Sequence, residues 1–309
     1  MSKYLIGIDV GGTSIKIGQF SIDGSLLQKW DIPTDKSQQG ENIIKDIANS
    51  ILHKVDVESI NGIGIGVPGP VTNGYVLNGV NIGWGKKNVT EEFYQHFPYR
   101  HIPVRVSNDA NLACAGEVYQ GSGKGYKDVV MFTLGTGVGG GILINGQIVE
   151  GFNGVAGELG HMFIDKVHQI QCNCGKKGCT ETVTSATGIV NLAKIKLAES
   201  SKKSLLRPLD NFSAKRVFDL AKQGDQLADE VIEEAADYLA YAMSLVTLTI
   251  NPELFIIGGG VSNAGEFLLN KIKKYYQKYL NSLITDQKIV IASLGNDAGI
   301  YGAAYMVKS

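Results

Sequence analysis

The head of the chain alternates apolar and polar residues in short runs, without helical spacing. Tyr4 to Asp9 is rich in β-formers, Ser14 to Phe20 alternates, and Ser25 to Trp30 follows an Asp23-Gly24 turn. Together they predict a three-strand meander. The period then changes: Ile44, Ile47 and Ile51 recur at helical spacing within Glu41 to Val55. Gly62 to Val67 reads as a buried strand ending at Pro68-Gly69-Pro70. Val104-Arg105-Val106 predicts a further strand, which runs into Asn108-Asp109-Ala110-Asn111. A helix from Ala110 to Tyr119 starts there, with Asn108 or Asp109 as its cap.

After the Gly-rich stretch Gly121 to Gly125, a seam between domains, the pattern restarts. Val129 to Leu134 is apolar, Gly135-Thr136-Gly137 is a turn, and Val138 to Ile144 returns as a strand before an Asn145-Gly146 hairpin turn. Helices are expected from Thr184 or Ser185 to Ala198 and from Asp225 to Thr249, the latter stopped by Asn251-Pro252. Leu254 to Ile257 predicts a strand meeting Gly258-Gly259-Gly260. An amphipathic helix over 265–280, a strand over 289–292 and a final helix capped by Asn296-Asp297 follow. A strand, a Gly/Thr turn and a returning strand thus head each half. The echo predicts two related α/β halves with a cleft between them.

Composition narrows the picture. At 309 residues the chain is long enough for two domains with separate cores. A net charge of -1 gives no electrostatic reason to expect nucleic acid or an anionic membrane as partner. No apolar run approaches about 18 residues, the length of a membrane span. Met1-Ser2-Lys3 leads straight into a strand, so no signal peptide is expected. The 39 glycines are unusual and point to backbone approaching a ligand closely.

The glycines gather at turns with phosphate-binding chemistry. Asp9-Val10-Gly11-Gly12-Thr13 places a carboxylate at a strand end, then two residues able to take positive φ, then a hydroxyl. Successive exposed amides make an anion nest, and Asp9 is placed to hold a water of a magnesium ion. Leu134 to Gly141 offers the same chemistry in the other half. Tight hairpins with no ligand are the competing reading of each turn. No G-x4-G-K-[ST] loop is present, and Gly135 to Gly140 does not open a helix as a dinucleotide fingerprint requires.

Phosphoryl transfer needs positioning, charge neutralisation and a group to take the proton of the attacking hydroxyl. Asp109, between a buried strand and a helix, is the candidate base, and a capping role is compatible with it. A second cluster lies in ELGHMFIDKVHQIQCNCGKKGCTE, residues 158–181. His161, Cys172, Cys174 and Cys179 make a Cys3His set suited to structural zinc, bracketed by Glu158 and Glu181. A disulfide with a spare thiol, and His168 as fourth ligand, are the alternatives. Thiolate ligands imply a reducing compartment. Cys114 reads as a core residue, and His53, His96 and His101 as surface residues.

In order, the motifs DVGGT, PGP, NDAN, TLGTGVGGG, GELGH, CNCGKKGCTE and GGGVS span nearly the whole chain. This series resembles the ROK family of bacterial sugar kinases and sugar-responsive repressors. The pairing of GELGH with CxCGxxGCxE is the most specific part. Asn81-Ile82-Gly83-Trp84 and the ending LGNDAG bring it nearest to the family's glucokinases. The resemblance implies the two-lobed, actin/hexokinase-like (ribonuclease H-like) ATPase fold. The expected domains are a small lobe over 1–120, joined by a C-terminal helix over 298–309, and a large lobe over 121–297.

The resemblance also implies roles. Asp109 would be the general base for a sugar 6-hydroxyl. Gly69, Asn81, Asn108, Glu158, His161 and Glu181 would bind the sugar. Asp9, Gly11, Gly12, Thr13 and Lys16, with Thr133, Gly135, Thr136, Gly137, Gly139 and Gly140, would hold ATP phosphates and magnesium. Gly258, Gly259, Gly260 and Val261 would lie by the adenosine. His161, Cys172, Cys174 and Cys179 would bind zinc. The family's repressors carry a DNA-binding domain before the first phosphate turn, and here only eight residues precede Asp9. The expectation is a cytoplasmic, homodimeric, ATP-dependent hexose kinase acting on glucose, N-acetylglucosamine, N-acetylmannosamine, fructose, allose or a β-glucoside. A sugar sensor without catalysis is the alternative of another class.

Overall fold

The computed structural model describes residues 3–280 and 287–308. Met1 and Ser2 of the N-terminal lead, and Ser309 of the expected C-terminal helix, lie outside the described residues. The first half contains β1 (Tyr4–Val10), β2 (Ser14–Ser21), β3 (Leu26–Pro33), α1 (Ile43–Lys54), β4 (Ile60–Val67), β5 (Val71–Thr72), β6 (Tyr75–Val76), β7 (Lys87–Asn88), α2 (Val89–His96), β8 (Val104–Asn108) and α3 (Asp109–Gln120). The rest contains β9 (Val129–Leu134), β10 (Val138–Ile144), β11 (Gln147–Ile148), α4 (Glu181–Thr184), α5 (Ala186–Glu199), α6 (Ala214–Lys222), α7 (Gln226–Ile250), β12 (Leu254–Gly258), α8 (Glu266–Tyr279), β13 (Lys288–Ile291) and α9 (Ala298–Met306).

Two five-stranded sheets share one topology. The first has the order β3-β2-β1-β4-β8 and the second β11-β10-β9-β12-β13. In the first, β1, β2 and β3 pair antiparallel, while β4 joins β1 and β8 joins β4 in parallel. In the second, β10 and β11 pair antiparallel, and β12 lies parallel to both β9 and β13. The echo between the two halves of the sequence is therefore a repeated strand order. The chain separates into two compact units. One comprises Met1–Lys127, Gly141–Gly157 and Ser293–Ser309, and the other Asp128–Gly140 and Glu158–Ala292.

Side-chain alternation explains both faces of the first sheet. Tyr4, Ile6, Ile8 and Val10 of β1 join one core with Ile43, Ile44 and Ile47 of α1. Leu5 points the other way, into a cluster with Phe20, Ile300 and Ala304. Gly7 shares the Leu5 face, and a Cβ there would sit 2.0 Å from Ile300 O of α9. The same close approach recurs at Gly64 against Ala303 O (1.9 Å), Gly116 against Ala298 O (2.0 Å) and Gly302 against Leu112 O (1.8 Å). Part of the glycine excess, expected to serve ligand contact, thus seats α9 against β1, β4 and α3. Backbone can approach backbone this closely only where no side chain intervenes.

Several elements depart from the sequence expectations. Hydrophobic periodicity leaves α6 unassigned, although Val217, Phe218, Leu220 and Ala221 are buried and Ser213 caps it by accepting from Arg216 N. The short strands β5, β6 and β7 form a third sheet, too brief to show a period. Asp297 precedes α9 without a side-chain capping bond; its carboxylate instead pairs with Lys29 Nζ at 2.7 Å. Cys114 is buried, as expected, while His53 and His101 are exposed and His96 is half-buried.

Candidate active site

Asp9 follows Leu5 and Gly7 on the α9 face of β1. The close fit at Gly299, where a Cβ would lie 2.7 Å from the Asp9 carboxylate, encloses it. Burial pushes its carboxyl up to about 6, opposed by Lys16 and reinforced by Asp297. Lys16 is its cross-strand partner on β2 and donates from Nζ to Asn296 O at 2.5 Å. The following turn is closed by Gly11 N donating to Ser14 O at 3.1 Å and Thr34 Oγ1 donating to Gly11 O at 2.7 Å. Gly11 and Gly12 are able to take positive φ, but neither does so here. Gly11 is small for a steric reason: a Cβ would lie 2.8 Å from Ser14 O. Thr13 is exposed.

The junction of β8 and α3 shows which residue caps the helix. Asn108 is the cap: its Oδ1 accepts from Ala110 N (2.9 Å) and Asn111 N (3.2 Å). Its Nδ2 donates to Gly69 O at 3.1 Å, which places Gly69 and Asn108 together. Asp109, half-buried, is the first residue of α3, where helix amides favour a carboxylate. Its Oδ1 accepts from Ala110 N at 2.8 Å. Behind it, buried Ser107 donates to Glu150 Oε1 at 3.1 Å, a contact with no signal in the sequence. Asn81 is exposed in a short 3-10 turn.

In the second unit, the turn after β9 is closed by Gly135 N donating to Gly137 O at 3.0 Å. Thr133 is half-buried and Thr136 exposed; Gly139 and Gly140 continue into β10. Gly259 takes φ +78° against Leu134, bringing the Gly258-Gly259-Gly260 turn beside the first; Val261 is buried. Gly137 also meets Glu181. A Cβ on Gly137 would sit 2.6 Å from Glu181 Oε2, which accepts from Val138 N at 3.4 Å.

His161, Cys172, Cys174 and Cys179 converge, their donor atoms all within 4.8 Å of one another. Cys172 Sγ lies 3.6 Å from His161 Nδ1, and Cys174 Sγ lies 3.6 Å from Cys179 Sγ. A tetrahedron with Zn–S of about 2.3 Å and Zn–N of about 2.0 Å has edges of roughly 3.5–3.8 Å, so the donor set fits a closed zinc site. A disulfide would need about 2.05 Å between sulfurs, and all four cysteines are free. His168 is not a ligand; its Nε2 lies 2.7 Å from Glu234 Oε1. Burial pushes the Cys172 and Cys179 thiols up, whereas a hydrogen bond from Lys176 N draws Cys174 down.

His161 turns its other nitrogen, Nε2, toward Glu158 Oε2 at 3.9 Å. Burial raises the Glu158 carboxyl; His161 opposes the shift and Glu181 adds to it. Glu158, His161 and Glu181 thus form one electrostatic group beside the cysteine cluster. Such a group can accept several hydrogen bonds from hydroxyl groups at once. Among the described residues, no helix is long and apolar enough to cross a membrane.

A profile of the ROK family matches residues 5–309. A glucokinase of Halalkalibacterium halodurans is 40% identical, over 99% of this chain and 95% of its own length. A glucokinase of Thermotoga maritima is 37% identical, over 98% and 97%. The crystal structure of a ROK family glucokinase from Streptomyces griseus, in complex with glucose and AMPPNP, superposes with a TM-score of 0.77 at 32% identity, covering 98% of each chain.

Proposed function

The chain belongs to the ROK family, and from that premise we propose that it transfers the γ-phosphoryl group of ATP to the 6-hydroxyl of glucose. The observation that carries the reading is the β8–α3 junction. There Asn108 takes the capping role, so Asp109 is not required as the cap. Asp109 accepts the proton of the sugar 6-hydroxyl as its oxygen attacks the γ-phosphorus. Catalysis is otherwise positioning and charge neutralisation. Gly69, Asn81, Asn108, Glu158, His161 and Glu181 hold the sugar. Asp9, Gly11, Gly12, Thr13 and Lys16, with Thr133, Gly135, Thr136, Gly137, Gly139 and Gly140, hold the phosphates. Gly258 to Val261 lie along the adenosine.

Two metals belong to this reading. Asp9, a single enclosed carboxylate at a strand end, suits magnesium, which binds through one or two carboxylates and the substrate phosphates. When bound, magnesium neutralises charge on the ATP phosphates. His161, Cys172, Cys174 and Cys179 hold zinc, which closes the loop between His161 and Glu181. The thiolate ligand set supports a cytoplasmic setting, because cysteines stay reduced there. A homodimer with no nucleic-acid partner completes the proposal.

The test is ADP release with ATP and a panel of hexoses. Glucose should be the preferred acceptor. Tight sugar binding without ADP release would replace the kinase by a sensor, and preference for an N-acetylated sugar would reassign the substrate. Light scattering of the purified chain decides the dimer.

A further inference from the structure

His161 and Glu181 flank the two ends of one closed loop. Between them Thr180 N donates to Met162 O at 2.9 Å, and Ile164 N and Asp165 N both donate to Gly178 O, at 2.9 and 3.1 Å. Bridges at Phe163–Cys179 and Gln171–Lys177 continue the pairing outward. Any displacement of the loop base therefore moves the imidazole and the carboxylate together. What holds that base is a polar network the kinase reading does not use. Asp165 is fully buried, and its Oδ1 accepts from Val167 N (3.0 Å), His168 N (2.9 Å) and Tyr238 OH of α7 (3.1 Å). One turn away along α7, Glu234 binds His168 Nε2 and Lys196 Nζ of α5, each at 2.7 Å. The His168 and Tyr238 rings pack edge to face, centroids 6.4 Å apart.

We propose that Asp165 and His168 are positioning residues: they dock the cysteine-rich loop onto α7 and thereby fix His161 and Glu181 for the sugar. The proposal rests on the kinase reading for its substrate and on the Cys3His cluster for its metal. Burial holds this loop through few apolar side chains: Ile164 is buried with Cys172 and Cys179, but Val167 and Phe163 are exposed. Charge-assisted bonds to a long buried helix supply further rigidity. Asp165 Oδ2 has no partner among the described residues, so Oδ1 alone carries the docking.

Two variants remove single bonds without emptying the core. His168→Phe keeps the ring against Tyr238 and loses the bond to Glu234, while Tyr238→Phe loses only the hydroxyl. Each should release zinc to a chromophoric chelator about tenfold faster than the full wild-type chain, in the range that outer partners of a metal site command. Each should raise the glucose KM about tenfold, with kcat and the ATP KM within about threefold. Asp165→Asn, which keeps the accepting oxygen but loses the charge that strengthens its three bonds, should also release zinc faster than the wild-type chain. Folded variants with unchanged zinc release and glucose KM overturn the proposal, as do equal rises in both KM values. If the wild-type chain phosphorylates no hexose, the kinase reading fails, and zinc release still decides the docking.

Discussion

Cys172 Sγ lies 3.0 Å from Glu181 Oε1, a buried thiol donating to a carboxylate at the first residue of α4. Metal coordination requires the thiolate, which has no proton to donate. A bound zinc would therefore replace this hydrogen bond, which couples the Glu181 carboxylate to the cysteine cluster.

Metal removal should accordingly weaken sugar binding before it unfolds the chain. Stripping zinc with a chelator is expected to raise the glucose dissociation constant about tenfold or more and leave nucleotide affinity unchanged. Calorimetric titration of the metal-free and reloaded protein measures both. Equal affinities would remove the cluster from sugar recognition. Cys174→Ser, which cannot complete the cluster, should reproduce the metal-free behaviour.

Asn108 and Asp109 should fail differently. Asp109→Asn leaves the cap intact and should lower kcat by roughly 10²–10⁴-fold with little change in stability. Asn108→Ala removes the acceptor for two helix amides and should cost about 1 kcal/mol of stability. Steady-state kinetics beside urea unfolding separates the two. Turnover of Asp109→Asn near the wild-type rate would reject it as the base.

Asp9 opposes folding at neutral pH. Its folded carboxyl is pushed up to about 6 from the ordinary 3.8. Between those values the folded state holds more protons than the unfolded one, so stability falls as pH rises from about 4 to about 6. Above that window the full penalty applies, on the order of 3 kcal/mol for a shift of about two units. Asp9→Asn should raise the melting temperature at pH 7.5 but not at pH 4, and should abolish ATP turnover. Thermal melts at both pH values check the sign; an equal effect at both would refute the burial argument.

Gly302→Ala should be among the most damaging methyl additions, because its Cβ would meet Leu112 O at 1.8 Å across the α3–α9 contact. A loss of about 1–3 kcal/mol or more is expected from overpacking. Gly85→Ala, with nothing within 4 Å, is the control and should be near neutral. Denaturant midpoints compare them.

Local pattern carried a good deal of this. Strands with a period of two, the Asn145-Gly146 hairpin and the Asn251-Pro252 helix stop depend on neighbours in sequence, so the meander of β1, β2 and β3 and its counterpart in β9 and β10 were readable. The Cys3His set was readable too, because three of its four ligands lie within eight residues. Periodicity was uninformative for β5, β6 and β7, at two residues each, and for α2, which buries only Val89 and Phe93.

Contacts between distant segments left no local mark. Gly7, Gly64, Gly116 and Gly302 look like flexible positions in a list of residues, and only the packing of α9 shows them as places where backbones touch. His168 stands within reach of the cysteines along the chain, yet its partner Glu234 is 66 residues away on α7. Asn108 and Asp109 are equal candidates for the cap until Gly69 O and the amides of α3 claim Asn108. Propensity and short spacings act within a few residues and can be read in order. The assignment of a side chain to one of two tasks depends on which donors the folded chain brings to it, and that is a property of three dimensions.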